Sequence, residues 1–514
     1  MFRFFETRVD PYAPHDEAAP VPNRLLPFLL LHLKPFRFVL GFAVIFTAMV
    51  TLIEVGLIWY AGRIVDLLSE AEPGAFLADH GWELAGMTLF LLILRPAIQF
   101  VDVALLNQSV MPNLGTMMRW RAHRRMLRQS VGFFQADFAG RIASRVMQTA
   151  PSMGEAAFQI FDALVYAAIY LFLAALMLAD TDPRLALPLI LWVAAYVALL
   201  AWITPKIGRA SKAFSDARSA ITGRIVDAYS NIQTVKLFSH AAREEAYALE
   251  AIENGRKTFA AEMRLITGID LGLALINGFL MVGVVGWAIL LWSEGAAGVG
   301  AVAAATALVM RLNAMTGWIM WALSSLFQNL GVIAEGMETI AAPIELNDRP
   351  GAPALAVKAG AIRFEGVRHA YGRGMKGGGL HGVDLSIAGG ERIGLVGRSG
   401  AGKSTLVNLL LRFMDAEGGR ILVDGQDVSA VAQESLREAI GMVTQDTSLL
   451  HRSVRDNIAY GRPGATDAEI MAAAAKVAAA EFIGGLADPD GRRGLDALVG
   501  ERGVKLSGGQ RQRI

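Results

Sequence analysis

A chain of 514 residues is longer than a single hydrophobic core organises, so length alone predicts several domains. Hydrophobic residues make up 54% and charged residues 18%, a balance too apolar for a soluble enzyme and suited to a chain that crosses a membrane. A net charge of +1 with no basic run argues against a nucleic-acid partner, and the lack of cysteine excludes disulfides, thiolate metal sites and a cysteine nucleophile.

In chain order, Met1 to Pro20 has no apolar core of the kind a cleavable signal needs. Asn23–Leu33 is apolar between Pro27 and Pro35 and reads as a short helix lying along a membrane interface. Six spans follow, near Phe36–Ala61, Trp82–Leu106, Ala156–Ala179, Leu185–Ile203, Ile266–Trp292 and Ala301–Leu330. Each is long enough to cross a hydrocarbon layer of about 30 Å as a helix.

Loop charge predicts their orientation. Asn107–Glu155 carries Arg119, Arg121, Arg124, Arg125, Arg128, Arg141 and Arg145, and Pro205–Arg264 is similarly basic, whereas the other connections are short or acidic. Both basic segments and both termini are therefore expected in the cytoplasm. The two segments far exceed the usual loop length of about 4–6 residues. Their apolar positions fall at helical spacing, which predicts helices continuing out of the membrane. Glu54, Arg95, Gln99, Asp102, Asp162, Asn277, Arg311 and Asn313 fall inside the spans. Burying such groups is costly unless they pair or line water, so the sequence leaves two readings open: a polar translocation cavity, or ion pairs such as Glu54 with Arg95.

The composition from residue 355 onward is that of a soluble α/β domain. Ala361–Val367 alternates and predicts a strand, and Arg392–Val396 predicts a buried strand leading into Gly397. The run Gly397, Arg398, Ser399, Gly400, Ala401, Gly402, Lys403, Ser404 matches G-x-x-x-x-G-K-[ST], followed by Thr405 and an apolar-faced helix over Leu406–Phe413. In such a strand–loop–helix setting, glycines let backbone N–H groups turn toward phosphates and the helix start adds positive potential. Lys403 is the expected β/γ-phosphate contact, and the Ser404 hydroxyl the expected Mg²⁺ ligand. Thr466–Glu469 is a helix capping box.

From about Ala361 onward the chain resembles the nucleotide-binding domain of ATP-binding-cassette (ABC) transporters, and with its six preceding spans the whole chain resembles an exporter half-transporter. The resemblance rests on the phosphate loop, on Tyr371 ahead of it, on Gln445 in Met-Val-Thr-Gln, on Val499-Gly-Glu501-Arg-Gly503 and on Leu506-Ser507-Gly508-Gly509-Gln510. It implies that Tyr371 stacks on adenine and that Gln445 touches Mg²⁺ and the attacking water. It also implies that Ser507, Gly508, Gly509 and Gln510 close on the γ-phosphate held by a partner chain. Phe133-Phe134 with Gly140–Arg145, and Asn231–Phe238, resemble exporter coupling segments.

The implied fold is an all-α six-helix transmembrane domain of ABC exporter type I, followed by an α/β P-loop NTPase domain incomplete at its C-terminus. The expected divisions are 1–35 for the N-terminal segment and interfacial helix, 36–335 for the transmembrane domain, 336–358 for a linker and 359–514 for the nucleotide-binding domain. The implied activity is a transport ATPase using ATP and Mg²⁺. It would export a small molecule, lipid, drug or peptide across the cell (inner) membrane as a homo- or heterodimer, with its nucleotide-binding domain in the cytoplasm. No apolar strand ending in Asp-Glu occurs between Gly397 and Ile514, so the expectation is a hydrolysis-deficient fragment of such an exporter. Its alternative is a non-hydrolysing ATP-binding subunit paired with a complete partner.

Overall fold

The computed structural model describes the chain except residues 17–18, 73–74, 138, 239–240, 371–378, 445–447 and 501–505. It divides into two compact units. One comprises Met1–Arg128 and Phe138–Pro343, the other Gln129–Asp137 and Ile344–Ile514.

The first unit holds six long apolar helical segments: α1 (Leu25–Glu70), α2 (Phe76–Met126), α3 (Ala139–Thr181), α4 (Pro183–Ser230), α5 (Ala242–Ser293) and α6 (Val299–Ile340). They run 42 to 52 residues. At 1.5 Å per residue that is roughly 60–80 Å, about twice a hydrocarbon core. The basic segments are thus continuous with the spans, as helical spacing predicted. The interfacial stretch forms a helix at Leu25–Leu33.

α2 changes pitch twice. Wide π turns at Phe90–Leu94 and Leu105–Val110 end just before Arg95-Pro96 and Met111-Pro112. Proline has no N–H to donate and crowds the carbonyl four residues back, and a wider turn absorbs both defects. A third π turn, Gln159–Leu164, carries Asp162.

α6 packs on α1, α3 and α5, and α4 packs along α5. Their core includes Tyr170, Leu189, Val284 and Leu308. The α1–α6 crossing is set by small residues: a Cβ on Gly300 would overlap the Gly62 carbonyl and the Asp66 carboxylate. The Gly300 N–H instead donates to Asp66 at 2.6 Å. Where α4, α5 and α6 meet, Asn277 accepts from Trp192 Nε1 at 2.9 Å and donates to Asn313 at 2.8 Å and Thr316 at 2.9 Å. Of the intramembrane polar residues, Asn277 and Asn313 therefore serve cohesion.

In the second unit, β1 (Ile362–Ala370), β2 (Gly379–Ile387), β3 (Gly418–Val423) and β4 (Gln426–Asp427) form an antiparallel sheet ordered β2-β1-β3-β4. Its register shifts between Phe364 and Arg368. There Gly366, at φ +57°, and Gly419, at φ +77°, lie so close that a Cβ on Gly419 would strike the Gly366 carbonyl. Helix α7 (Lys403–Leu410) lays Leu406 and Leu409 against Phe364, Val367, Ile421 and Val423. That packing fixes the height at which the phosphate loop stands.

Residues 347–358, expected as linker, are bound to this unit. Arg412, 3% exposed at φ +50°, pairs with Asp348 at 2.9 Å and Asp415 at 3.1 Å. Asp424 accepts from the N–H groups of Lys358, Ala359, Gly360 and Ala361. A helical subregion has its own core around Val454, Ala474, Ile483 and Val499. The predicted capping box is present there: the Thr466 side chain accepts from Glu469 N–H, and Glu469 accepts from Thr466 N–H at 2.9 Å.

One expectation fails. Arg392–Val396 is neither a strand nor buried, and Val396 is 98% exposed. A ladder needs a neighbour, and no described residue pairs with this segment; the sheet residues that do pair are committed to the antiparallel set. Gly441–Thr444 likewise forms no strand, and Val443 is 84% exposed.

Candidate nucleotide site and a polar membrane cluster

The phosphate loop is built by two glycines and a helix start. Gly400 and Gly402 take φ +81° and +85°, a region that favours glycine, and a Cβ on Gly402 would meet Leu380 Cδ2 at 2.6 Å. Gly402 is the N-cap of α7 and has no side chain with which to cap it. The first turn of α7 therefore offers backbone donors and the positive end of its dipole to an anion. The Lys403 ammonium folds over the loop and donates to the Gly397 carbonyl at 2.7 Å and the Arg398 carbonyl at 3.0 Å. Arg398, Ser399, Gly400, Ala401 and Ser404 are exposed around it, while Thr405 is buried beneath. A glycine-built loop opening onto a helix start, a cation at its mouth and a hydroxyl in the first turn fit a Mg-bound nucleoside triphosphate.

Leu506-Ser507-Gly508-Gly509-Gln510 starts a second short helix, α8 (Gly508–Arg513). Ser507 and Gln510 form a capping box: Gln510 N–H donates to the Ser507 hydroxyl at 3.2 Å, and Ser507 N–H to Gln510 Oε1 at 2.9 Å. Neither Gly508 nor Gly509 has an atom within 4 Å of its Cβ position, so the helix start is an open surface. Arg513 ties it down by donating to the Ala478 carbonyl at 2.8 Å. Tyr371 and Gln445 lie outside the described residues.

In the membrane unit, Glu54 is paired, but not with Arg95. Arg311 Nη2 approaches it at 2.8 Å and the Tyr166 hydroxyl donates to it at 2.5 Å. The Arg95 side chain makes no ion pair or hydrogen bond among the described residues, and its backbone N–H donates to Phe90 within the helix. The expected alternative of a Glu54–Arg95 pair is thereby corrected: α6, which packs on α1, brings its own arginine to the glutamate. Asp102 accepts from Thr47 at 2.8 Å. These groups, with Gln99, Asp162 and Trp318, line one cavity of about 280 Å³. Sequence reasoning missed Tyr166, although it lies one helical turn after Asp162; a tyrosine in an apolar span carries no signal of its own.

Comparison with known proteins agrees with this architecture. Residues 40–315 match the family model for the ABC transporter transmembrane region, and residues 380–514 match that for ABC transporters. An uncharacterized ABC transporter ATP-binding protein of Haemophilus influenzae is 43% identical, over 100% of this chain and 83% of its own length. An ATM1-type heavy metal exporter of Novosphingobium aromaticivorans is 40% identical over 57% of this chain and 47% of its own. Among solved structures, a bacterial Atm1-family ABC exporter with ATP bound superimposes with a TM-score of 0.77 at 30% identity, covering 93% of this chain and 82% of that one.

The chain belongs to the ABC transporter family. It is an exporter of Atm1 type, with a membrane region and an ATP-binding region fused on one polypeptide, a multi-pass membrane protein and by family an ATPase.

Proposed function

We propose that this chain is one half of an ATP-driven exporter of the cell membrane, acting as a dimer. The observation that carries the reading is the phosphate loop seated on α7 in a chain that also holds six spanning helices. On this reading 36–335 is the transport domain and 359–514 the nucleotide-binding domain. The basic extensions of the helices face the cytoplasm.

Gly397 to Thr405 wrap the phosphates, the α7 N–H groups orient them, and Lys403 leaves its loop carbonyls to neutralise β/γ charge. Ser404 and Gln445 would hold Mg²⁺, which would supply positive charge against the charge developing on the phosphates. Tyr371 stacks on the base. The open surface at Ser507–Gly509 supports a role in trans: it meets the nucleotide of the partner chain, so that each chain completes the other's site. Gln129–Asp137 groups with the nucleotide-binding residues and contains Phe133 and Phe134. This supports its assignment as a coupling segment, by which closure of the ATP sites switches the membrane helices.

Two half-sites that close on ATP make dimerisation nucleotide-dependent. In detergent, Mg-ATP should raise the dimer fraction measured by light scattering, and Ser507→Arg should suppress the increase by filling the open surface. A dimer fraction indifferent to ATP would overturn the shared-site reading.

A further inference from the structure

The cavity between α1, α2, α3 and α6 has a charge imbalance that its own residues do not settle. Glu54 is balanced by Arg311 and further held by Tyr166. Among the described residues, the Asp102 carboxylate has only the neutral Thr47 hydroxyl. The Asp162 side chain has no hydrogen bond or ion pair among the described residues, and the charge that acts on it is the like charge of Asp102. With all four groups ionised, two negative charges remain at a position that falls within the spans, where unpaired charge is expensive. The wall is equally specific. Trp318 and Tyr166 meet edge to face at 5.9 Å, and Gln99 adds an amide. The fully buried Tyr170 hydroxyl lies beside Arg311 and Glu54 and forms no hydrogen bond of ordinary geometry. The π turn Gln159–Leu164 carries Asp162 to this wall.

We propose that this cavity binds the positively charged head of an organic amine or onium compound as part of the transported molecule. Carboxylates joined to aromatic faces are the chemistry that recognises such a cation, through charge and through the ring quadrupoles. A bare metal ion fits worse: among the described residues no three His, Cys, Asp or Glu side chains are grouped to ligate one. The volume of about 280 Å³ suits a head group, with the apolar remainder of the molecule lying among the helices. This deepens the export reading by naming a substrate class, and its test requires no nucleotide, so it fails or succeeds apart from the ATP site.

The probe is radiolabelled tetraphenylphosphonium, with tetraphenylborate as an anion of the same shape, on the purified full chain in detergent. Saturable phosphonium binding is expected, without competition by the borate. Asp102→Asn/Asp162→Asn should weaken it by at least about tenfold, as expected for loss of the charge on two acceptors. Asp162→Asn alone, which breaks no internal bond, should melt like the parent and still weaken binding several-fold. Equal competition by the borate, undiminished binding by the Asp162→Asn chain, or no saturable binding by the parent would each overturn the proposal.

Discussion

Asp488 is buried in the helical subregion, and its carboxylate accepts from the Asp490, Arg492 and Leu498 N–H groups and from Arg492 Nε at 2.7 Å. The Leu498 N–H first, with the Arg492 contacts, holds it down at about 2, against an ordinary value of 3.8. A carboxyl depressed on folding stabilises fully above its unfolded value, and that contribution drains as pH falls through the folded one. The subregion should therefore lose stability between about pH 4 and pH 2. Asp488→Asn should already be destabilised at pH 6 and should converge on the parent near pH 2. Hydrogen exchange at the Leu498 amide reads this directly, and equal protection of parent and variant at pH 6 would refute it. At this scale the sequence spoke unevenly. The Thr466 capping box was legible because its spacing is local. The role of Asp488 was not, because its acceptors are satisfied by a turn whose path no periodicity describes. Arg311 as the partner of Glu54 was hidden for a related reason: the two are far apart in sequence, and only helix packing pairs them.

Between elements, the decisive contacts are those that small residues permit. α1 and α6 approach until backbone meets backbone at Gly62 and Gly300, and Asp66 caps the start of α6 through Gly300 N–H. Gly300→Val should force the helices apart and lower membrane-unit stability by about 1–3 kcal/mol, the usual cost of overpacking. Thermal melting in detergent checks this, and an unchanged midpoint would mean the crossing is looser than its geometry. Six spanning helices were legible because long apolar runs have few other uses, and their extension beyond the bilayer followed from helical spacing. The Arg392–Val396 strand was misread for the opposite reason. An apolar β-branched run announces extended backbone, but pairing and burial depend on neighbours that a single segment cannot specify.

Taken whole, the chain joins a membrane unit with a polar cavity to a unit with a phosphate loop, and family membership makes the combination an ABC exporter. The nucleotide site was the most legible part of the sequence. Its glycines, lysine and serine are constrained by one short stretch of backbone, and the structure gives Gly400, Gly402 and α7 the geometry that the spacing implied. The polar membrane cavity was only half legible, since polar residues within spans announce a cost without revealing which of them meet. The central claim is that Lys403 and its loop bind ATP, and equilibrium binding of labelled Mg-ATP to the purified chain measures it most directly. A hydrogen bond to a charged group contributes about 1.5–3 kcal/mol, so Lys403→Ala should weaken binding by at least about tenfold. The variant should keep the helical content of the parent. Saturable binding of the same strength in parent and variant would contradict the account.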